Sequence, residues 1–407
     1  MSVFQKADIL LPENVSFEKW AVIACDQFTS EKEYWQNVNE TVKDAPSALR
    51  LVLPEAYLDH TDTGEIDRIN DTMRQYLSEG LFHEYAQSYI YVERTLNSGM
   101  IRRGVVGIVD LEQYDYHENS TSLIRATEFT VPERIPPRMK IREDAALELP
   151  HILMLCDDPQ DQILGYCEKV RDELPLLYDF ELMMNGGRIT GRLLQGEHAA
   201  KLDAAIAAYE TQVKEKYLKL CNQEIVYNVG DGNHSLATAK AHYEELKRKG
   251  ADGTHPARYA MAELGRLQDD SLVFEPIHRL LKTDSEALLA YLAERNPDGT
   301  FEVPWFTSEE EGVVKLSLDE KELPLAKLQN DLDAWLAEQE GEIDYIHGED
   351  TLKKLARRKG MIGFLVPPIA KDHLFQDILE NGVLPRKTFS MGHANEKRYY
   401  IESRKII

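Results

Sequence analysis

Gly230-Asp231-Gly232-Asn233-His234-Ser235 gathers two glycines and four side chains able to bind a proton, a cation or a phosphate. An Asp beside a glycine turn can hold Mg2+ or take a proton from a substrate hydroxyl, as phosphoryl transfer requires. His234 can contact phosphate or act as acid or base, because a free imidazole titrates near neutrality. Gly230 and Gly232 permit positive φ and a close backbone approach to a ligand. The string is neither a Walker loop nor a dinucleotide fingerprint. Asn233 or Asp231 capping an ordinary strand–turn–helix is the competing reading.

The flanking residues supply the elements that would position this cluster. Ile225-Val226-Tyr227-Asn228-Val229 is apolar and β-branched and reads as a buried strand. Leu236, Ala239, Tyr243 and Leu246 then recur at three- and four-residue steps, so a helix with one apolar face follows. Lys247, Arg248 and Lys249 fill its last turn and Gly250 stops it. A helix delivered out of a strand by a glycine turn presents unpaired N–H groups and the positive end of its dipole, which favour an anion.

A second concentration of charge lies in LIRATEFTVPERIPPRMKIRED, where Arg125, Arg134, Arg138, Lys140 and Arg142 bring five cations into an acidic chain. Arginine forks suit phosphate and carboxylate, although a solvated, salt-bridged loop would have the same composition. Pro132, Pro136 and Pro137 argue against a continuous helix across this stretch. His278-Arg279 follows the strand-like Leu272–Glu275 and is expected at a sheet end; a surface His-Arg pair is the alternative. No Ser-His-Asp spacing, GxSxG elbow or HExxH string is present, which disfavours those hydrolase classes.

The 407 residues suffice for two or three domains, expected at 1–145, 146–282 and 283–407. Strand signals at Trp20–Cys25, Tyr89–Val92, Val105–Val109 and His151–Cys156 alternate with helix signals at Glu65–Ser78, Gln160–Glu173 and Ala199–Leu220. The expected class is therefore α/β or α+β, with mixed sheets and flanking helices. Thr29 or Ser30 with Glu33 resembles a capped helix start. A net charge of −24 argues against non-specific nucleic-acid binding. No run of eighteen apolar residues and no cleavable signal pattern occur, so no membrane association is expected. Cys25, Cys156, Cys167 and Cys221 are scattered without metal spacing and read as reduced core thiols of a cytoplasmic protein.

Several strings taken in order resemble the bacterial and archaeal family catalogued as domain of unknown function 1015. They are Ala24-Cys-Asp-Gln-Phe-Thr-Ser30-Glu31, Gly104-Val-Val-Gly-Ile-Val-Asp110-Leu-Glu-Gln-Tyr114, and Ile124-Arg125 with Glu128, Thr130, Arg134 and Arg138. Asp231-Gly-Asn-His234, Pro276-Ile-His278-Arg279 and Leu384-Pro-Arg386-Lys387-Thr388 complete the set. In that family the strand–DGxH–helix segment is similar to the phosphate motif of the ParB/sulfiredoxin-like superfamily. The resemblance thus implies such a core within 146–282, carrying the DGNH loop. That superfamily binds ATP, ADP or CTP and includes free-serine kinases and nucleotide-gated DNA-partition proteins. Carried over, Asp231, Gly232 and His234 would meet the phosphates, and Glu31 would be the counterpart of a catalytic carboxylate. Ser235 stands where many relatives have a basic residue, which leaves the pairing of that charge to Arg125, Arg134 or Arg138.

The expected protein is a cytoplasmic enzyme binding Mg2+ with ATP or ADP, a kinase of a small hydroxylated metabolite such as free serine. A non-catalytic nucleotide-sensing module is the alternative. Asp231, His234 and Glu31 are the catalytic candidates, with Asp231 also the metal ligand. Gly230, Gly232, Asn233, Ser235, Arg125, Arg134, Arg138, His278 and Arg279 are expected to hold the nucleotide.

Overall fold

The computed structural model describes every residue except Met1, Thr61, Asp62, Glu118 and Arg386, and excludes the side chains of Asp59 and His60. Arg386 of the Leu384–Thr388 string therefore lies outside the described residues. The chain is mixed α/β and divides into a unit of residues 1–272 with 393–407 and a unit of residues 273–392. This division differs from the expected cuts at 145 and 282, because strands from both sides of position 145 share one sheet.

In the first unit, eleven strands among the described residues form that sheet. Its long hairpin comprises β1 (Phe82–Thr95) and β2 (Ile101–Asp110), paired with Ile90 opposite Val106. A turn at Asn97-Ser98-Gly99 joins them, and Gly99 takes a φ of +83°. The sheet continues from β2 through β6 (Tyr259–Arg266), β4 (Leu153–Cys156) and β5 (Tyr227–Asp231) to β3 (Ile124–Ala126). Strand β5 runs parallel to β3 and antiparallel to β4, so the sheet is mixed. It is buried centrally, which suits its nearly unbroken apolar run Ile225–Val229.

Four helices of this unit bear on the site: α1 (Lys32–Val42), α2 (Ile135–Arg142), α3 (Gly196–Cys221) and α4 (Asn233–Arg248). Helix α3, expected at Ala199–Leu220, buries one face through Leu202, Ile206, Tyr209, Val213 and Tyr217. In α4, Leu236, Ala239 and Tyr243 are buried as the spacing predicts. Helix α1 starts at Lys32 with Glu31 at its N-cap and no side-chain cap, so the expected Thr29 or Ser30 cap does not form. Helix α2 accommodates Pro136 and Pro137 in its first turn, where a missing N–H costs nothing. The last residues return to this unit, where Tyr399 and Tyr400 pair with Ile23 and Val22.

The second unit is built on β7 (Phe274–Lys282), which pairs antiparallel with strands Glu342–His347, Met361–Phe364 and Phe389–Met391. Pro276-Ile277-His278-Arg279 thus lies within a strand and not beyond its end. Leu288, Leu292, Leu328 and Leu332 help form a separate core for this unit. Among the described residues, no helix is long and apolar enough to cross a membrane.

Candidate functional site

The strand β5 reaches Asp231, and Gly232 turns the chain into α4. Gly232 takes φ +81° and ψ 26°, and a Cβ there would lie 3.1 Å from the Ile152 Cα. Left-handed backbone and a close neighbour together account for glycine at this position. Asp231 Oδ1 accepts the Gly232 N–H at 3.0 Å. Leu236 N–H donates to the Gly232 carbonyl at 3.0 Å, the first bond of the helical ladder. The amides of Asn233, His234 and Ser235 precede that bond in the first turn, and these residues are half-buried.

His234 Nε2 accepts the Val131 N–H at 3.2 Å. Burial, with the Arg138 and Arg134 guanidiniums nearby, brings its imidazole down to about 4. The ring is therefore neutral at pH 7 with its proton on Nδ1, leaving Nδ1–H as a donor. Asp231 Oδ2 pairs with Lys397 Nζ at 3.2 Å. Burial disfavours ionised Asp26, but His151, Gln27, Lys397 and Arg138 outweigh it and hold the carboxyl below its usual range. Arg138 pairs with Glu55 and donates to the Arg134 carbonyl at 2.7 Å.

A hydrogen-bonded chain borders these charges. Ser235 Oγ lies 2.9 Å from His151 Nε2, and Tyr400 Oη lies 2.7 Å from His151 Nδ1. Asp26 Oδ2 stands 3.7 Å from His151 Nε2. Tyr400 also accepts the Cys25 N–H at 3.2 Å and donates to Cys25 Sγ at 3.1 Å. Burial, followed by the nearby Asp26 and Glu55 carboxylates, pushes the Cys25 thiol up to about 12. Cys25 is thus a protonated hydrogen-bonding group at neutral pH.

Gly230, Asp231, Gly232, Asn233, His234 and Ser235 come together as one loop, with Arg134 and Arg138 acting on it. Arg125 does not join them. It pairs with Asn228, earlier on β5, and donates to Ser122 O, Gln223 Oε1 and Glu224 O, so its fork is committed to local structure. Glu31 is exposed at the start of α1. His278 and Arg279 belong to the second unit, where Arg279 is fully buried. Lys397, His151 and Tyr400 are members that spacing could not reveal, since each is more than eighty residues from Ser235 or Asp231 in sequence. Asp26 lies within the Ala24–Glu31 string, where sequence alone gives it no distinguishing neighbour.

Among the described residues there is no group of three or more His, Cys, Asp and Glu poised for a metal. Mg2+ does not need one, since it is commonly held by one or two carboxylates together with phosphate and water oxygens. Asp231 and Asp26, both acted on by Lys397, fit that donor set. Asn233 Oδ1, buried without a hydrogen-bond partner among the described residues, adds an unused acceptor on the same loop.

Comparison with known proteins gave three kinds of result. A search of curated proteins returned no match. Among solved structures, a free serine kinase in complex with AMP is similar with a TM-score of 0.37 and 12% identity, covering 74% of this chain and 90% of that one. SbnI with a C-terminal truncation, from Staphylococcus aureus, is similar with a TM-score of 0.37 and 9% identity, covering 70% and 82%. A conserved hypothetical protein from Pyrococcus furiosus has a TM-score of 0.35 and 12% identity, covering 74% and 94%. The pattern of the family described as protein of unknown function (DUF1015) matches residues 9–405, and the chain belongs to that family.

Proposed function

We propose that this protein binds a nucleotide phosphate at the start of α4 and transfers a phosphoryl group to a small hydroxylated metabolite, with free serine the first acceptor to try. The observation that carries this reading is the half-buried N-terminus of a sixteen-residue helix, entered through left-handed Gly232 and faced by neutral His234. In this reading the segment is the counterpart of the ParB/sulfiredoxin-like phosphate motif. The first-turn amides and His234 Nδ1–H hold phosphate oxygens, and Arg134 and Arg138 offset their charge. Asp231 and Asp26 would hold Mg2+, which neutralises the oxygens of the transferred group when bound. Asp231 also fixes Lys397 beside the loop, where its ammonium faces the same phosphates.

Incubating the purified protein with Mg2+, a phosphate donor (ATP, ADP or pyrophosphate) and a panel of hydroxy-amino acids tests the reading by mass spectrometry of the products. Turnover is expected to fall at least a hundredfold, on the order of losing one electrostatic stabiliser, in Asp231→Ala and in His234→Ala. Turnover unchanged in both variants would sink it. The Asp231–Lys397 pair also favours a second reading, since a carboxylate already engaged by an ammonium is a weaker metal ligand. On that reading the loop senses nucleotide without chemistry, and calorimetry would record nucleotide binding with no transfer to any acceptor.

A further inference from the structure

Beside the loop lies a cavity of about 160 Å³, bounded by α2, α4, the segment 51–58 and Met261 of β6. Its walls are apolar and well buried at Leu53, Met73, Leu147, Ile152, Ala239 and Met261. One end is polar, formed by Cys25, His151, Ser235 and Tyr400. That end carries hydrogen-bonding capacity from two hydroxyls, a thiol and an imidazole. Each ring nitrogen of His151 faces a hydroxyl, Nε2 that of Ser235 and Nδ1 that of Tyr400. Burial, then the Cys25 and Asp26 groups beside it, keeps Tyr400 protonated far above neutrality. The charged groups on the wall are engaged with protein partners, Arg138 with Glu55, and Glu148 with both Arg142 and Arg404.

A cavity of this size with largely apolar walls admits a guest of roughly benzene volume, held there mainly by burial of its apolar surface. Serine offers no such group. Because Ser235 and Thr238 belong to the first turns of α4, a molecule filling the cavity with a hydroxyl at its polar end lies beside the phosphate-binding amides.

We propose that this cavity is the acceptor subsite, and that it selects a hydroxylated molecule bearing a compact aryl or branched alkyl group. The inference rests on the phosphotransferase reading but makes a separate claim about binding. The test is isothermal calorimetry of the full chain with threo-3-phenylserine and with serine. Phenylserine is expected to bind at least about tenfold tighter, the discrimination that an apolar pocket gives for a few buried carbons. Ala239→Leu, which places three more carbons in the cavity, is expected to bring phenylserine to the affinity of serine with helical circular dichroism retained. Equal affinities of the two probes in the wild type overturn the proposal, and that comparison decides alone should Ala239→Leu not fold. Tight phenylserine binding that persists in folded Ala239→Leu also overturns it. Phenylserine binding without phosphoryl transfer to any acceptor would overturn the phosphotransferase reading and leave the subsite standing. Transfer to serine with no gain for phenylserine would do the reverse.

Discussion

His234 in the first unit and His278 in the second are handled alike by their backbones but differently by their surroundings. Each accepts a backbone N–H at 3.2 Å, His234 Nε2 from Val131 and His278 Nδ1 from Val366. Burial lowers the pKa of both. Around His234, however, lie half-buried first-turn amides, exposed Arg134 and the partly buried Asp231–Lys397 pair. Beside His278 the cation is turned inward. Arg279 is 0% exposed, donates to Gln329 Oε1 and Ile277 O at 2.6 Å and to Lys387 O at 3.0 Å, and lies 4.8 Å from the Tyr345 ring centroid. A short polar motif can therefore serve a ligand or a fold, and the deciding quantity is whether its hydrogen-bonding capacity is already committed to protein groups.

The largest effect expected from this contrast is that of Arg279→Met. The substitution keeps much of the volume but leaves the Gln329, Ile277 and Lys387 acceptors without that donor, a loss of about 3 kcal/mol in stability. Urea denaturation followed by tryptophan fluorescence would measure it. Inorganic phosphate binding at α4 should persist in the variant. Unchanged stability would mean that Arg279 does not anchor its unit, and the contrast between the two motifs would collapse.

The effect of acid is intermediate. His234 titrates at about 4 in the fold against an ordinary value of 6.5. Above pH 6.5 both folded and unfolded chains carry the neutral ring. As pH falls from 6.5 towards 4 the unfolded chain takes up a proton that the folded chain refuses, so stability is lost across that window and the loss levels off below it. His278 contributes in the same direction. His234→Asn should flatten the decline of Tm between pH 7 and 5. Added phosphate should flatten it in the wild type, because a bound anion favours the imidazolium, and should do nothing to the share due to His278. Equal effects of phosphate on wild type and His234→Asn would remove His234 from the anion site.

What was readable in the sequence follows the same division. The α4 register and its Gly250 stop, the β1–β2 hairpin and the α3 face were legible because each rests on local periodicity or a turn residue. The loop itself was legible as a chemical cluster. Its partners were not, because Lys397, Tyr400, His151 and Asp26 arrive through strand pairings distant in sequence, among them Tyr399 with Ile23. The five cations of 125–142 looked equivalent as a string. The fold separates the four arginines among them: Arg125 donates to Ser122, Gln223 and Glu224, Arg142 pairs with Glu148, and Arg134 and Arg138 act on His234. Composition carries no information about which end of a strand an arginine serves.

The smallest change in stability, and so the sharpest separation of fold from function, is expected for Arg134→Ala. Arg134 is exposed at the entrance to α2, and surface substitutions of this kind stay within about 0.5 kcal/mol. Its charge nevertheless acts on His234, second among the cations there after Arg138. Removing it should weaken phosphate binding several-fold at low ionic strength, with the deficit shrinking as salt is added, because an exposed charge is screened over about 10 Å at 0.1 M. Arg125→Ala is the matched control: it removes a buried guanidinium with three local acceptors and should lower stability without changing the salt dependence of phosphate binding. Calorimetric titration of phosphate at two salt concentrations, run beside thermal melts of both variants, reads the two effects separately. A salt-dependent loss in Arg125→Ala, or none in Arg134→Ala, would reverse the assignment of which arginine faces the anion.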